Sequence, residues 1–503
     1  MAVESPLAPP RAMPDAHARH AWALAALEVL RRARVPYGDV RVVVIRERRL
    51  GYRNGRANLA RENLHWAVSV RAWARGLWAH VAHPLTDEAA AQRAAQQAVA
   101  HLRALRAWVG GDPRASLGPA VTARGAYRTP VRYDPFTRSW DAWHEPLQRV
   151  TEVLTREAGL HAWRGLLWAR SEERLFFNTE GAEQRQTLTW MGGGLTIQAT
   201  DGQRVQQRSY PAAPTRGVWA GGWEVVATWD WAAAARRLAD EARSLLTARP
   251  CPDTVTTVIL DVDQMASQIH ETLGHALELD RALGMDLTRA GSTYLPLPLP
   301  SNGFALGSRA LNLEVDATTP RAAGSFAWDD EGVPAQRVTL IRAGRVVAGL
   351  VDRALAAHWG LPRTASARAA DGTAFPLVRM TNLHLRPGPE GTLDDLIAST
   401  REGLLLQTNR AWSIDARRRA FRFGVEMAWL IRRGRRVQLM RDCTYHGDSL
   451  HFWTNLDAVA GPTAWRVWGT ARCAKGKPRQ QVFVGHGVAP ARVRAVHVQP
   501  GRG

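Results

Sequence analysis

The segment His270-Glu271-Thr272-Leu273-Gly274-His275 constrains this chain more than any other. Thr256-Thr257-Val258-Ile259-Leu260 before it reads as a buried strand, and Met265, Ile269, Leu273 and Leu277 recur at a helical period through it. The pattern predicts a strand, a cap at Asp261 or Asp263, and a buried helix. The two histidines are five residues apart, which in a regular helix would point their side chains roughly 140° away from each other. A π-turn brings residues i and i+5 onto nearly one face, and such turns cluster at functional sites. Gly274 is where the distortion is expected, and with it both imidazoles could reach one divalent ion.

Two imidazoles do not complete such a site, which takes a third protein ligand and keeps one position open. The chain has three cysteines, Cys251, Cys443 and Cys473. Of its 66 basic residues only Lys475 and Lys477 are lysines, leaving 64 arginines, an imbalance that fits GC-rich coding. Both lysines lie within four residues of Cys473. A compact, flexible ammonium kept where arginine is otherwise used marks that stretch as functional, and Cys473 is the expected thiolate. His446, His451 and His486 lie in nearby regions and are alternatives to it, although Gly485-His486-Gly487 reads first as a surface turn. Cys251 and Cys443 read as small buried apolar residues.

His-Glu-x-x-Gly-His-x-Leu-Glu-x-Asp, from His270 to Asp280, resembles the signature of the TldD/PmbA family of metallopeptidases. Further segments come in the family's order: Asp329-Asp330-Glu331-Gly332-Val333-Pro334, Arg379-Met380-Thr381-Asn382, and Cys473-Ala474-Lys475. Earlier, Ser69-Val70-Arg71 with Gly76-Leu77-Trp78-Ala79, and Asn178-Thr179-Glu180-Gly181, are similar more loosely. The resemblance is to the metal-binding TldD type. It implies that His270, His275 and Cys473 hold one divalent ion, zinc first and iron as the alternative, and that Glu271 is the general base for an activated water. Glu278 and Asp280 then read equally as acceptors that fix histidine tautomers or as the polar end of the helix, and Lys475 as a group near substrate. The implied activity is hydrolysis of unfolded or short peptides by a homodimer, or by a heterodimer with a metal-free PmbA-type paralogue.

Two stretches depart from the family pattern. Asn409-Arg410-Ala411-Trp412-Ser413-Ile414-Asp415 stands where many members have a glycine-rich run, so side chains occupy ground where bare backbone meets substrate. Between Arg281 and Ala323, Pro296, Pro298 and Pro300 alternate with leucines, which suits a lid, a partner contact or an extended surface loop.

At 503 residues and 46% hydrophobic content the chain can bury large cores in two or more domains. No apolar run of about 18 residues exists, so no membrane span is expected. Met1 to Ala21 lacks the apolar core of a secretory signal, and three unevenly spaced cysteines make no disulfide framework. A reducing cytoplasm is the expected location. The net charge of +20 is spread along the chain, with clusters at Arg417-Arg418-Arg419 and Arg432-Arg433 with Arg435-Arg436. Without a nucleic-acid-binding signature it reads as a basic solvated surface, with acidic peptide substrates or partners next and a nucleic-acid or protein adaptor last. A metal-dependent hydrolase or redox enzyme acting on a small molecule or modified peptide is the other alternative.

The expected fold is α+β: an N-terminal mixed α/β domain over residues 1–215, a linking helix within 216–250, and a mainly β catalytic domain over 251–503 carrying the metal helix. Predicted helices cover 16–34, 86–108 and 231–247, and predicted strands cover 40–46, 65–71 and 73–83 with more between 172 and 207. The Pro211-to-Pro214 stretch marks a break and Pro250-Cys251-Pro252 the preferred boundary. Hairpins at 338–352 and 427–440 place glycines 344 and 434 in their turns and supply the framework that brings Cys473 to the metal helix.

Overall fold

The computed structural model describes residues 13–213, 215–284, 292–389 and 391–501. Residues 37–220 supply an eight-stranded sheet dominated by four long antiparallel strands, Tyr37–Arg53, Arg56–Ala74, Leu160–Asn178 and Glu183–Thr200. Two helices, Ala16–Arg32 and Glu88–Val109, pack on it. Each starts where an aspartate can cap: Asp15 accepts from Ala18 N at 2.7 Å, and Asp87 from Ala90 N at 2.7 Å. Ala23, Leu27 and Leu30 of the first helix and Ala91, Ala94 and Ala98 of the second meet Val40, Val42, Val68 and Val70 of the sheet.

The first hairpin runs well beyond the predicted strands. Hydrophobic alternation stops where the strands leave the core, yet pairing continues from Val40↔Val70 out to Arg53↔Arg56, with Arg46 and Arg48 both bonded to Glu62. The stretch expected as one strand from 73 to 83 is instead a turn at Arg75-Gly76, both at positive φ, followed by the strand Leu77–Pro84. The helix Trp140–Leu154 is an addition to the predicted elements. It tolerates Pro146 inside and buries Trp143, Leu147, Val150 and Leu154 on one face, against Trp231 and Leu238 of the helix Trp231–Thr247. Pro214 lies outside the described residues; the segment after it adds the strand Val218–Ala220 to the first sheet.

Beyond residue 249 the chain is mainly β, so the molecule is α+β with its strand-rich half C-terminal. A second eight-stranded sheet runs Glu402–Ile414, Thr254–Leu260, Ala491–Pro500, Cys443–Asp448, Ala420–Arg432, Arg435–Arg441, Arg249–Pro250, with Leu456–Val459 also on Ala491–Pro500. A seven-stranded sheet contains Leu313–Asp316, Asn382–Leu385, Gln480–Val488 and Arg466–Lys475. The two expected hairpins are present, one in each sheet, with Gly344 and Gly434 at positive φ in their turns. One continuous core, including Val258, Ile269, Leu273, Leu383, Leu405, Val484 and Val493, joins both sheets around the metal helix.

Between the first sheet and the C-terminal half runs a buried set of charges. Asp330 bonds Arg41 at 3.3 Å and Arg174 at 3.2 Å, and Glu331 bonds Arg71 at 3.3 Å while Arg71 also grips Asp39 at 2.7 Å. Glu180 pairs with Arg353 at 2.8 Å. Arg353 N also donates to Glu331 Oε2 at 2.9 Å, so Arg353 links the Asp329-to-Gly332 and Asn178-to-Gly181 motifs. Among the described residues no helix is long and apolar enough to cross a membrane.

Candidate metal centre

The strand Thr254–Leu260 is held on both sides, parallel to Glu402–Ile414 and antiparallel to Ala491–Pro500, so its C-terminal end is firmly placed. Asp261 caps the helix Val262–Ile269 there, accepting from Gln264 N at 2.9 Å. The helix then opens into the expected π-turn over His270–Gly274, closed by His275 N donating to His270 O at 3.1 Å. Gly274 is needed there for closeness rather than for unusual backbone angles. A Cβ on it would stand 2.1 Å from Met380 Sδ and 2.6 Å from Leu383 Cδ1.

With the turn in place the His270 and His275 rings lie 4.8 Å apart, edge to face. Cys473 comes from the strand Arg466–Lys475, where alternation turns Cys473 inward and Arg472 outward beside a bulge between Thr470 and Cys473. One donor atom from each of His270, His275 and Cys473 lies within 4.8 Å of the other two, and all three residues are buried.

The surroundings prepare each donor. His275 Nδ1 meets Glu278 Oε2 at 3.1 Å, which turns Nε2 toward Cys473 Sγ, 3.8 Å away. His270 Nδ1 is held by His486 Nε2 at 3.0 Å, leaving its other nitrogen free. Burial pushes His270 down to about 4 and lowers His275 as well, so both rings are neutral near pH 7. Burial alone would raise the Cys473 thiol; the Arg379 guanidinium, 3.1 Å from Sγ, and His275 outweigh it and hold it below its usual value. Two neutral imidazoles and a readily ionised thiol are a donor set that fits zinc or iron.

Of the two residues read equally as histidine acceptors or polar helix end, Glu278 is the one that lies on His275 Nδ1, and it also accepts from Arg281 Nε at 2.7 Å. Burial would raise its carboxyl, but Lys475, His275 and Arg281 keep it well below the carboxylate range. Asp280 instead bonds Lys475 Nζ at 2.7 Å. Lys475 is buried, with Glu278 at 3.2 Å and Val378 O at 2.8 Å, which explains a lysine there; Lys477 is exposed. A forked guanidinium does not fit between two carboxylates and a carbonyl as an ammonium does.

Glu271 lines a cavity of about 220 Å³ beside His270, and its Oε2 accepts from Arg418 Nη1 at 2.7 Å. Arg418 is 5% exposed and sits at φ 62° in the turn after Asp415. Trp412 also lines the cavity, so the Asn409–Asp415 segment does place a side chain beside the site. Of the 281–323 stretch, 285–291 lie outside the described residues. Just after that gap Thr293 Oγ1 donates to Ala276 O at 2.8 Å and Tyr294 Oη to Thr272 O at 2.7 Å. Beyond them Pro296, Pro298 and Pro300 are exposed in a stretch without helix or strand, while Leu297 and Leu299 pack on the core.

Residues 253–499 match the family described as PmbA/TldA metallopeptidase C-terminal domain. The chain belongs to the TldD/PmbA family. A metalloprotease of Methanocaldococcus jannaschii is 32% identical over 49% of this chain and 51% of its own length. A metalloprotease of Methanothermobacter thermautotrophicus is 30% identical over 63% of this chain and 65% of its own. The chain thus spans between half and two thirds of these relatives' length. TldE from Thermococcus kodakarensis shares the fold at a TM-score of 0.71 and 16% identity, over 94% of this chain and 100% of that one.

His486 corrects one expectation. It is no surface turn but part of the strand Gln480–Val488, fully buried, and its partner is the His270 ring. His446 and His451 are not with the donors: the first faces the ring of His497, the second bonds Asn455. Arg418 and Arg216 are beyond the reach of the sequence, since three consecutive arginines do not say which one turns inward and nothing local marks Arg216. Arg379 stands out in the sequence only as part of a motif.

Proposed function

We propose that this TldD/PmbA-family chain is a metal-dependent peptidase acting on unfolded or short peptides, with His270, His275 and Cys473 holding one zinc ion and Glu271 as general base. The observation that carries this reading is the convergence of three donors on the π-turn that also sets Glu271 at a cavity wall. A divalent ion at the donors would supply Lewis-acid polarisation of a carbonyl and lower the pKa of water.

The chain's own groups do the rest. Glu271 keeps one oxygen on Arg418, and the carboxylate reaches the cavity to take a proton from water and hand it to the leaving amine. Glu278 keeps the His275 proton on Nδ1, so the opposite nitrogen stays a lone-pair donor. A free thiol among the donors suits a reducing cytoplasm. Pairing with itself or with a metal-free paralogue completes the reading, supported by the shared fold with TldE.

The test is metal content per chain for wild type, His275→Ala and Cys473→Ala, followed by peptide cleavage with Glu271→Gln. About one ion in wild type, lost in both ligand variants, is expected. Glu271→Gln should keep the ion and lose cleavage by about 100-fold or more. A wild type without stoichiometric metal, or a fully active Glu271→Gln, overturns the reading.

A further inference from the structure

The cavity beside Glu271 has an uneven charge. Its wall includes Arg216, Ser267, His270, Trp412 and Arg472, and among the described residues Glu271 is the single carboxylate lining it. Arg216 belongs to the connection between two strands of the first sheet, Val205–Tyr210 and Val218–Ala220, yet it is built into this wall. Its Nη1 donates to Asn409 Oδ1 at 2.6 Å and Asn409 O at 3.0 Å, its Nη2 to Ser267 Oγ at 3.1 Å, and its guanidinium carbon stands 4.9 Å from the Trp412 ring centre. These hydrogen-bond and ring partners are neutral and fix the direction of the cation, while the buried Asp263 carboxylate within its electrostatic reach offsets part of its charge.

Arg472 is the complementary case. Its side chain is exposed at the cavity wall and has no hydrogen bond or ion pair with any of the described residues. Strand alternation places it beside Cys473, so the backbone that delivers the thiol to the metal site delivers this cation to the cavity. Most other arginines near the site are already paired: Arg281 with Glu278, Arg418 with Glu271, Arg379 with Cys473. A free guanidinium and a fixed one on a wall shared with the catalytic glutamate attract anions and repel cations at the point where substrate enters.

We propose that Arg472 and Arg216 form an anionic subsite that receives a carboxylate of the peptide substrate next to the bond being cleaved. The proposal rests on the peptidase reading. It names a substrate class: peptides carrying an aspartate or glutamate side chain, or a free terminal carboxylate, close to the scissile bond. Arg472 contributes a mobile, forked donor for the carboxylate, and Arg216, pinned on Trp412, sets the background potential. Basic residues at the same substrate position are excluded by both cations.

The experiment uses one peptide series in four forms: neutral with blocked ends, acidic with blocked ends, neutral with a free C-terminus, and lysine-containing with blocked ends. Cleavage by the metal-loaded wild type is compared with Arg472→Gln and Arg472→Glu. Binding of labelled copies to the metal-loaded Glu271→Gln protein is followed by fluorescence anisotropy. Wild type should favour a carboxylate-bearing peptide over the neutral one by about tenfold in kcat/KM, carried by KM. Arg472→Gln should flatten that preference and Arg472→Glu should turn it toward the lysine peptide, a reversal that a merely structural residue would not produce. The blocked acidic form and the free C-terminus separate a side-chain from a terminal carboxylate. No preference in wild type, or a preference unmoved in Arg472→Glu with metal retained, overturns the proposal. If wild type cleaves none of the peptides the peptidase reading fails, while the anisotropy series still decides whether the wall selects carboxylates.

Discussion

Arg418 shows how one side chain changes the character of the site. A non-glycine residue at φ 62° stores backbone strain, and it is held there with its guanidinium on the Glu271 carboxylate. The ion pair keeps that carboxylate oriented where it would otherwise be buried alone beside two imidazoles. Removing it should lower kcat by about tenfold or more without loss of metal, in both Arg418→Ala and Arg418→Gly. The two variants should differ in stability. Glycine accepts the left-handed turn and alanine does not, so Arg418→Gly should be the more stable by about 1 kcal/mol in urea unfolding. Equal stabilities would mean that the turn relaxes, and unchanged kcat would remove Arg418 from any role at Glu271. The arginine run from 417 to 419 is legible in the sequence as charge only. Which of the three turns inward depends on the turn after Asp415, and a string of identical residues carries no periodic signal for that.

Among the elements, the metal helix is the most legible. Its strand, its cap and its π-turn all appear in the local pattern, because each is set by neighbours within about one or two turns. The cap also carries a pH response. Asp261 lies beside Asp263 at the helix start, and burial together with that second carboxylate raises it from 3.8 to about 7. A group with a raised folded-state pKa holds its proton more tightly when folded. Its stabilising contribution is therefore complete below about pH 4 and is lost as pH rises through 7. Asp261→Asn keeps an oxygen for Gln264 N and cannot ionise. Its unfolding midpoint, compared with wild type, should improve steadily from pH 4 to 8; a constant difference would show that Asp261 does not titrate in that window. The Trp140–Leu154 helix is less legible because Pro146 interrupts its signal, although Ser139 caps it and a buried face runs its full length.

In the whole molecule, the arginine-rich composition is not simply a solvated surface. Arg41, Arg71, Arg281, Arg353 and Arg379 are among its largest fully buried side chains. Several of them tie the first sheet to the C-terminal half through Asp330, Glu331 and Glu180. Asp330→Ala would leave buried Arg41 without its carboxylate while Arg174 keeps only Glu172, and should cost about 3–5 kcal/mol in denaturant unfolding. The surface pair Arg436 with Asp394, the latter 80% exposed, should contribute no more than about 1 kcal/mol when Asp394 is replaced by alanine. Similar losses at both sites would mean that the buried charges do not join the two halves.

The linear chain by itself specifies the two histidines, their awkward spacing and the π-turn that resolves it, and it marks Cys473 by its neighbouring lysines. These are short-range properties, set by backbone sterics and by apolar residues recurring at the period of a helix or strand. The partners of those groups are decided in three dimensions. Arg418 meets Glu271 across 147 residues, His486 meets His270 across 216, and Arg379 meets Cys473 across 94. Such meetings depend on sheet register and on which faces are buried together, and a one-residue shift in the strand carrying His486 or Cys473 would turn that side chain to the opposite side.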